Sequence, residues 1–276
     1  MNRAGNDHAA KGLRPQRLAD VDLAARLPHS EYKTRLHALQ FELRKIQQAY
    51  LRTGDRGIMV FEGWDAAGKG GTIRRIGKVM DPKTLKVWPI AAPTKREQGV
   101  HWLYRFWQRL PPRGTVAIFD RSWYGRVLVE RIEGLATEAE WRRAYDEIND
   151  FERMLTTDGV RLIKVFLHLS AEKQVHRFER RLHSPVKRWK LSPEDFRNHL
   201  RRGDYEAAID EMIAHTSTSR APWHLVASES KKVARVGAIG HLVEGLGAGV
   251  DTEPPPLDPE LRRLAREILG VEVEAG

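Results

Sequence analysis

Seven consecutive residues, Gly63-Trp64-Asp65-Ala66-Ala67-Gly68-Lys69, match the phosphate-binding pattern G-x-x-x-x-G-K. Glycines in such a loop let the backbone wrap around phosphate oxygens, and the helix that follows adds partial positive charge. A Gly-rich structural turn is the alternative, but an apolar run precedes the loop and a helical pattern follows it, as the motif requires. We predict phosphate contacts at Gly63, Ala66, Ala67, Gly68, Lys69, Gly70 and Gly71, with Lys69 supplying a full charge.

The loop departs from the usual pattern at Gly70, where a Ser or Thr hydroxyl would normally reach Mg²⁺. Asp65 is the candidate to replace it, because a carboxylate beside bound phosphates would be repelled unless a cation lay between them. An Asx turn that shapes the loop is the alternative role for Asp65.

A second acid, Asp120, ends the apolar run 115–119, as a metal-binding carboxylate does in phosphate-loop enzymes. Asp65 and Asp120 are therefore predicted to share one metal ion. Arg121 and Arg126 follow directly, and at this edge of a sheet arginines suit bidentate phosphate contacts and the stabilisation of transition-state charge. Strand-end salt bridges are the alternative.

The segment 171–203 carries ten Lys and Arg residues against four acids. Such a concentration suits a basic lid that closes over phosphates and excludes water, whereas a solvated helix face is the usual alternative. The phosphate-binding candidates within it are Arg180, Lys187, Arg188 and Lys190.

These residues lie in a chain that alternates strand-like and helix-like segments. Strand patterns occur at 58–61, 85–90, 115–119, 161–169 and 223–227, and helix patterns at 102–110, 138–155 and 204–215. An amphipathic helix is predicted after Ser30 and ends at Gly54. This alternation predicts an α/β fold: a doubly wound parallel five-stranded sheet of the P-loop kinase type, with helices on both faces and a helical basic lid.

The domain organisation follows from composition along the chain. Residues 1–28 are predicted to form a mobile arm, residues 29–247 the phosphotransferase domain with its lid at about 171–203, and residues 248–276 a Gly/Pro linker with a C-terminal helix.

Composition restricts the classes of partner. The 276 residues include no Cys, which excludes disulfides and thiolate metal sites, and the formal net charge of +10 favours an anionic partner or a solubilising surface. No apolar run is long enough to span a bilayer, and the N-terminus has no signal-peptide pattern, so a cytoplasmic location is expected.

The motifs taken together resemble the polyphosphate kinase 2 family. The matching stretches are FEGWDAAGKGGTIRRI (61–76), PIAAPTKRE (89–97), RFWQRLPPRG (105–114), IFDRSWYGRVLVERIEG (118–134), EINDFERML (147–155), KRWKLSPEDFRN (187–198) and TSTSRAPWHLV (216–226). The string around Asp120 is more similar to the AMP-phosphorylating class II members than to the ADP-phosphorylating class I members, in which an Asn is expected near Gly125.

The resemblance implies Mg²⁺-dependent, reversible phosphoryl transfer between inorganic polyphosphate and an adenine or guanine nucleotide, chiefly AMP to ADP. It implies that Asp65 and Asp120 act with Mg²⁺, for which Mn²⁺ can substitute, and that Lys69, Arg121 and Arg126 engage phosphates. It also suggests a homo-oligomer, a dimer or a tetramer. The alternatives are transfer to ADP, an ATP-dependent small-molecule kinase, and a basic nucleic-acid-binding protein, for which no recognition motif is present.

Overall fold

A five-stranded, all-parallel sheet forms the centre of the computed structural model, which describes residues 17–271. The strands are β1 (Arg56–Gly63), β2 (Leu85–Pro89), β3 (Val116–Asp120), β4 (Val160–His168) and β5 (Trp223–Ala227), in the order β2-β3-β1-β4-β5. Each predicted strand is present, with ends within two residues of those expected, because short apolar runs between helices bury both faces of a parallel sheet.

The helices are α1 (His29–Thr53), α2 (Lys69–Ile76), α3 (Lys95–Gln98), α4 (Tyr104–Trp107), α5 (Val129–Ile132), α6 (Glu138–Thr157), α7 (Ala171–Leu182), α8 (Pro193–Leu200), α9 (Arg202–Thr216), α10 (Lys231–Gly247) and α11 (Pro259–Leu269). Short 3₁₀ turns occupy Leu18–Asp20, Trp123–Arg126 and Arg188–Lys190. Within residues 17–271, no helix has the length and apolar character needed to cross a bilayer.

Helices cover both faces of the sheet, as predicted. Ile163 and Lys164 are neighbours in β4, so their side chains point to opposite faces. Gly245 of α10 packs against Ile163, and a Cβ at that glycine would lie 2.5 Å from Ile163 Cγ1. On the other face, Lys164 Nζ lies 2.7 Å from Glu152 Oε2 of α6. Helices α6 and α10 therefore enclose the sheet, which confirms the doubly wound α/β fold.

The register of the sheet brings the two predicted acids to one edge. Phe61 of β1 is paired with Asp120, the last residue of β3, so β1 ends two residues beyond β3 at the same edge of the sheet. The phosphate loop and the loop after Asp120 leave the sheet side by side, at the carboxyl edge where open α/β sheets bind their ligands.

Several boundaries differ from the sequence prediction. Helix α1 begins at His29, with Pro28 at its N-cap rather than Ser30, because proline fixes a φ value suited to a helix start. The helix predicted over 102–110 is reduced to α4, because Pro111 and Pro112 cannot continue a helix. Its aromatic side chains pack instead; for example, Phe106 contacts Trp123 edge to face.

The two ends of the chain pack in part. Residues 1–16 of the predicted arm lie outside the described residues, while Leu18 is buried and its backbone N–H donates to Asp210 Oδ1 at 2.9 Å. The linker before α11 is held at Arg52, whose guanidinium donates to the Asp251 and Glu253 carbonyls. The mobility predicted for the arm, residues 1–28, stays a prediction.

Candidate active site

The phosphate loop joins β1 to α2 and has an unusual backbone. Gly63, Ala66 and Gly68 all adopt positive φ angles, of 138°, 61° and 114°. A Cβ at Gly63 would lie 2.5 Å from the Leu167 carbonyl oxygen, so only glycine fits there. The loop ends where α2 begins, so the unpaired N–H groups of that helix start beside it.

Lys69, the first residue of α2, folds back over the loop. Its Nζ donates to the Gly63 carbonyl at 2.5 Å and to the Trp64 carbonyl at 3.3 Å. The ammonium is therefore held at the mouth of the loop, where a bound phosphate would compete for it with two carbonyl oxygens.

Asp65 is held on both carboxylate oxygens. Arg121 Nη2 donates to Oδ1 and Asn198 Nδ2 donates to Oδ2, each at 3.0 Å. Burial acts to raise the pKa of Asp65, but Lys69, Arg121 and Asn198 together hold it below its usual value. The carboxylate is thus ionised and fixed in orientation at neutral pH.

Asp120 faces the same space without such partners. One cavity of about 520 Å³ is lined by Asp65, Asp120 and residues 66–71 of the loop. Across the described chain, no side chain donates a hydrogen bond to the Asp120 carboxylate. The backbone here is paired: the Asp120 carbonyl accepts from Ile90 N–H, and Arg121 N–H donates to the Phe61 carbonyl. This carboxylate is therefore available to a cation.

Asp65 and Asp120 suit Mg²⁺ better than a metal ion whose ligands all come from protein side chains. Among residues 17–271, His, Asp and Glu form no cluster of three able to hold a metal ion. Mg²⁺ is usually bound by one or two carboxylates together with substrate phosphates and water. Asp65 and Asp120, at the edge of a phosphate loop, match that donor set.

Arg121 adopts a left-handed conformation with φ of 66°, which is uncommon for a residue with a side chain. Its backbone N–H donates to the Phe61 carbonyl, which continues the β3–β1 pairing by one residue. Burial acts to lower the pKa of Arg121, but Asp65, Glu62 and Glu194 outweigh it and raise that pKa. The loop after β3 is therefore bent so that this guanidinium reaches Asp65.

Arg126, the second predicted arginine, lies elsewhere. Its Nε is 3.1 Å from Glu130 Oε2, and its guanidinium stacks over Trp102 at 5.1 Å. Arg126 is absent from the linings of the cavities around the phosphate loop. The structure therefore separates Arg126 from Arg121, and a phosphate-binding role for Arg126 stays a prediction.

A large basic cavity borders the other side of the loop. Its volume is about 870 Å³, and it is lined by eleven Lys and Arg residues and one acid, Glu229. The basic residues are Arg74, Arg75, Lys173, Arg177, Arg180, Arg181, Lys187, Lys190, Lys231, Lys232 and Arg235. This excess of positive charge requires an anion to neutralise it.

The basic lid supplies much of this lining, as predicted, with one exception. Arg180, Lys187 and Lys190 line the cavity, and Lys190 also lines the space in front of Asp120. Arg188 lines neither cavity, although it lies in the same 3₁₀ turn as Lys190 and the side chains of Lys187, Arg188 and Lys190 are all exposed. A phosphate contact at Arg188 stays a prediction.

A third cavity, much smaller and mostly apolar, touches Asp65 and Arg121. Its volume is about 80 Å³, and its apolar lining comes from Trp64, Leu128, Val129, Phe166, Tyr205 and Ile209. Polar groups from Glu62, Glu194 and Asn198, and the backbone of Gly125, complete it. Apolar walls with a few polar groups suit a flat organic ring better than a phosphate chain.

Comparison with known proteins identifies the family. The sequence model of Polyphosphate kinase 2 (PPK2) matches residues 26–252. The chain belongs to the polyphosphate kinase 2 family. Within it, a polyphosphate:AMP phosphotransferase from Pseudomonas syringae pv. tomato is 44% identical, over 83% of this chain and 46% of that protein. The chain therefore spans about half the length of that relative.

Two further comparisons support the assignment to the polyphosphate kinase 2 family. An ADP-polyphosphate phosphotransferase from Rhizobium meliloti is 42% identical, over 79% of this chain and 71% of that protein. The crystal structure of polyphosphate kinase 2 from Arthrobacter aurescens TC1 matches with a TM-score of 0.81 and 31% identity, covering 98% of this chain and 95% of the other. These matches confirm the resemblance inferred from the motifs.

Sequence reasoning missed several residues of the site. Arg177 is buried, and it donates to the Ala66 and Ala67 carbonyls and to the Glu229 carbonyl, so it supports the loop from α7. Lys231 and Arg235 enter the basic cavity from α10. Helix α10 follows β5, and the rule that places ligands at the carboxyl ends of parallel strands was the signal that could have located them.

Proposed function

We propose that this member of the polyphosphate kinase 2 family transfers phosphoryl groups between inorganic polyphosphate and a nucleotide, with AMP to ADP as its main reaction. The observation that supports it most is the position of the phosphate loop between two unlike cavities. One is large and lined by eleven basic side chains, and the other is small and largely apolar. A long polyanion suits the first, and a nucleobase with its ribose suits the second.

We place the in-line transfer between the two cavities, at Arg121 and the phosphate loop. Arg121 borders both the apolar cavity and the space in front of the loop. A phosphate approaching from the nucleotide side would meet Arg121, while the donor phosphate would lie against the loop N–H groups and Lys69. Phosphoryl transfer requires little covalent chemistry from the protein, so positioning and charge neutralisation account for most of the catalysis.

Mg²⁺ is the proposed cofactor, with Mn²⁺ as a substitute. Asp65 and Asp120 would hold it, and when bound it would supply charge neutralisation between the donor and acceptor phosphates. Asp65 is already ionised and oriented by Arg121 and Asn198, so this chain contributes a carboxylate that needs little rearrangement.

The preference for AMP would depend on how deep the nucleoside lies in the small cavity. Gly125 lines it and has no side chain to occupy it. AMP has one phosphate fewer than ADP, so its nucleoside must lie closer to the donor phosphate for in-line geometry. A misplacement of about 1 Å can cost roughly 100-fold in rate. Relatives named for AMP and for ADP have similar identity, 44% and 42%, so overall identity does not decide the acceptor.

We further propose that the protein acts in the cytoplasm as a homo-oligomer, a dimer or a tetramer, without a dedicated nucleic-acid target. These three proposals follow from the family resemblance and the composition, and light scattering of the purified protein at several concentrations would measure the subunit number.

The test of the proposed function incubates the purified protein with polyphosphate, Mg²⁺ and one nucleotide at a time: AMP, ADP, GMP or GDP. Products are separated by anion exchange, and a trap for ATP exposes any contaminating adenylate kinase. We expect ADP from AMP, with a larger kcat/KM than for ATP from ADP. A larger kcat/KM for ADP would overturn the acceptor assignment, and no product from any nucleotide would overturn the proposed activity.

A further inference from the structure

Helix α8 of the basic lid is hydrogen-bonded to the phosphate loop at Asp65. Asn198 Nδ2 donates to Asp65 Oδ2 at 3.0 Å, across 133 positions of sequence. The other end of the same amide is fixed, because Tyr205 Oη donates to Asn198 Oδ1 at 3.1 Å. The tyrosine therefore orients the amide so that its N–H₂ group faces the carboxylate.

The next residue of α8, His199, is connected to the backbone of Asp65 through Gln174 of α7. Gln174 of α7 donates from Nε2 to the Asp65 carbonyl at 3.1 Å, and its Oε1 lies 2.8 Å from His199 Nδ1. Since Gln174 Oε1 can only accept, His199 must carry its proton on Nδ1. Two consecutive residues of α8 are thus connected to the side chain and to the backbone of one loop residue.

These polar contacts matter because α8 is otherwise weakly packed. Asp195 is its only buried residue, while Leu200 is 84% exposed and Phe196 is 46% exposed. The ring of Phe196 does contact Phe178 of α7, with centroids 5.3 Å apart. A helix held by so few apolar contacts can leave the body of the protein at little cost.

Such a movement would open the small cavity. The small cavity has about 80 Å³, and α8 lines it with Glu194 and Asn198. Pockets that hold drug-sized ligands are roughly 300–1,000 Å³. Movement of α8 would therefore enlarge this cavity for a nucleotide, and the Asn198–Asp65 bond would break as α8 opens and re-form as it closes.

We propose that Asn198 is a positioning residue that couples closure of the lid to the orientation of the Asp65 carboxylate. This inference rests on the proposed function for its catalytic consequence, but the coupling itself is a property of the protein alone. When α8 is closed, Asn198 and Arg121 fix the two oxygens of Asp65, and the remaining lone pairs face the loop cavity. When α8 opens, Asp65 keeps only Arg121, and the carboxylate is free to rotate.

The experiment compares Asn198→Ala, Asn198→Asp and Tyr205→Phe with wild type. The matched control is Leu200→Ala on the same helix, because that side chain points to solvent. The first measurement is hydrogen exchange of residues 183–200 in the protein without substrates. We expect Asn198→Ala to exchange at least about tenfold faster, as the loss of a hydrogen bond to a charged group implies. Asn198→Asp, which places a second negative charge against Asp65, should exchange faster still, and the control should match wild type.

The second measurement is steady-state kinetics at several Mg²⁺ concentrations. We expect Asn198→Ala to lower kcat at least tenfold and to raise the Mg²⁺ concentration needed for half-maximal rate, while the KM for polyphosphate stays unchanged. Tyr205→Phe should give a smaller change in the same direction, because the amide remains but is no longer oriented.

The outcomes separate the two parts of the inference from the proposed function. Unchanged exchange in Asn198→Ala would overturn the coupling. Faster exchange with unchanged kcat and Mg²⁺ dependence would overturn the positioning role. A wild-type protein without polyphosphate-dependent activity would overturn the proposed function, while the exchange result would still decide whether Asn198 holds the lid.

Discussion

Asp65 and Arg121 form an ion pair, with Arg121 Nη2 3.0 Å from Asp65 Oδ1, although 56 positions of sequence separate them. The pair exists because β1 and β3 are neighbouring parallel strands that end at the same edge of the sheet, so the loops that follow them meet. It links the phosphate loop to the loop that carries Asp120. Each of these three residues borders the space in which phosphates are proposed to react.

Asp120→Asn should lower kcat by about 100- to 1,000-fold, as the removal of one electrostatic interaction in a transition state typically does. Lys69→Ala and Asp65→Asn should have effects of similar size. Melting temperature should remain near wild type for Asp120→Asn, because no side chain in the described chain donates to that carboxylate. Asp150→Asn on α6, 66% exposed, is the matched control. A folded Asp120→Asn variant with near wild-type turnover would remove Asp120 from the site.

Salt dependence should distinguish the neighbouring cations of the lid. Lys187 and Lys190 line the basic cavity and Arg188 does not. The double variant Lys187→Ala/Lys190→Ala should weaken polyphosphate binding. It should also reduce the slope of log affinity against log salt concentration by about 1 to 2, because a polymer bound by fewer cationic side chains releases fewer counterions. Arg188→Ala should leave that slope within error. Titrations at four or more salt concentrations check this, and equal slopes for both variants would contradict the assignment.

Acid should destabilise the protein through His168. Burial and then Arg202 lower its pKa to about 4, from 6.5, and its Nδ1 accepts from Trp64 Nε1 at 2.9 Å. Between pH 6.5 and 4 the unfolded chain binds more protons at this position than the folded chain. This contribution to stability is therefore present above pH 6.5 and is lost as pH falls to about 4, up to about 3 kcal/mol.

The comparison with His168→Gln isolates this effect. Glutamine can accept the Trp64 hydrogen bond but does not titrate, so the difference in unfolding free energy between the two proteins should change with pH in that window. Urea unfolding at pH 7, 5.5 and 4.5 measures it. A constant difference would show that His168 keeps its ordinary pKa.

Removal of one partner of the buried Lys164–Glu152 ion pair should destabilise the fold. Lys164 and Glu152 are both almost fully buried, and Tyr124 Oη and Trp123 Nε1 also donate to Glu152 Oε1. Lys164→Met should destabilise the fold by about 3–5 kcal/mol, because it leaves a carboxylate without its cation. The double variant with Glu152→Leu should lie closer to wild type than Lys164→Met. Additive effects in urea unfolding would contradict this coupling.

Much of the fold and part of the site could be predicted from sequence. The five strands are predictable because short apolar runs alternate with helices, and Asp65, Asp120 and Arg121 come together because parallel strands present their carboxyl ends at one edge. The basic character of the lid is evident from its ten Lys and Arg residues.

Other residues depend on contacts that the sequence does not encode locally. Arg126 and Arg121 are equivalent in the motif, but one pairs with Glu130 within a turn and the other reaches across to Asp65. Arg177 is one more lid cation in the sequence, yet it is buried under the loop. Asn198 carries no charge, and although it ends the matching stretch 187–198, only the packing of α8 over the loop reveals its partner.

The most direct test of the proposed function follows the phosphorus atom itself. Polyphosphate labelled uniformly with ³²P is mixed with unlabelled AMP, Mg²⁺ and the wild-type protein, and the nucleotides are separated and counted. The account predicts labelled ADP from the first turnovers, at a rate that falls at least about 100-fold with Asp120→Asn. Label released only as inorganic phosphate, with no labelled ADP, would contradict it.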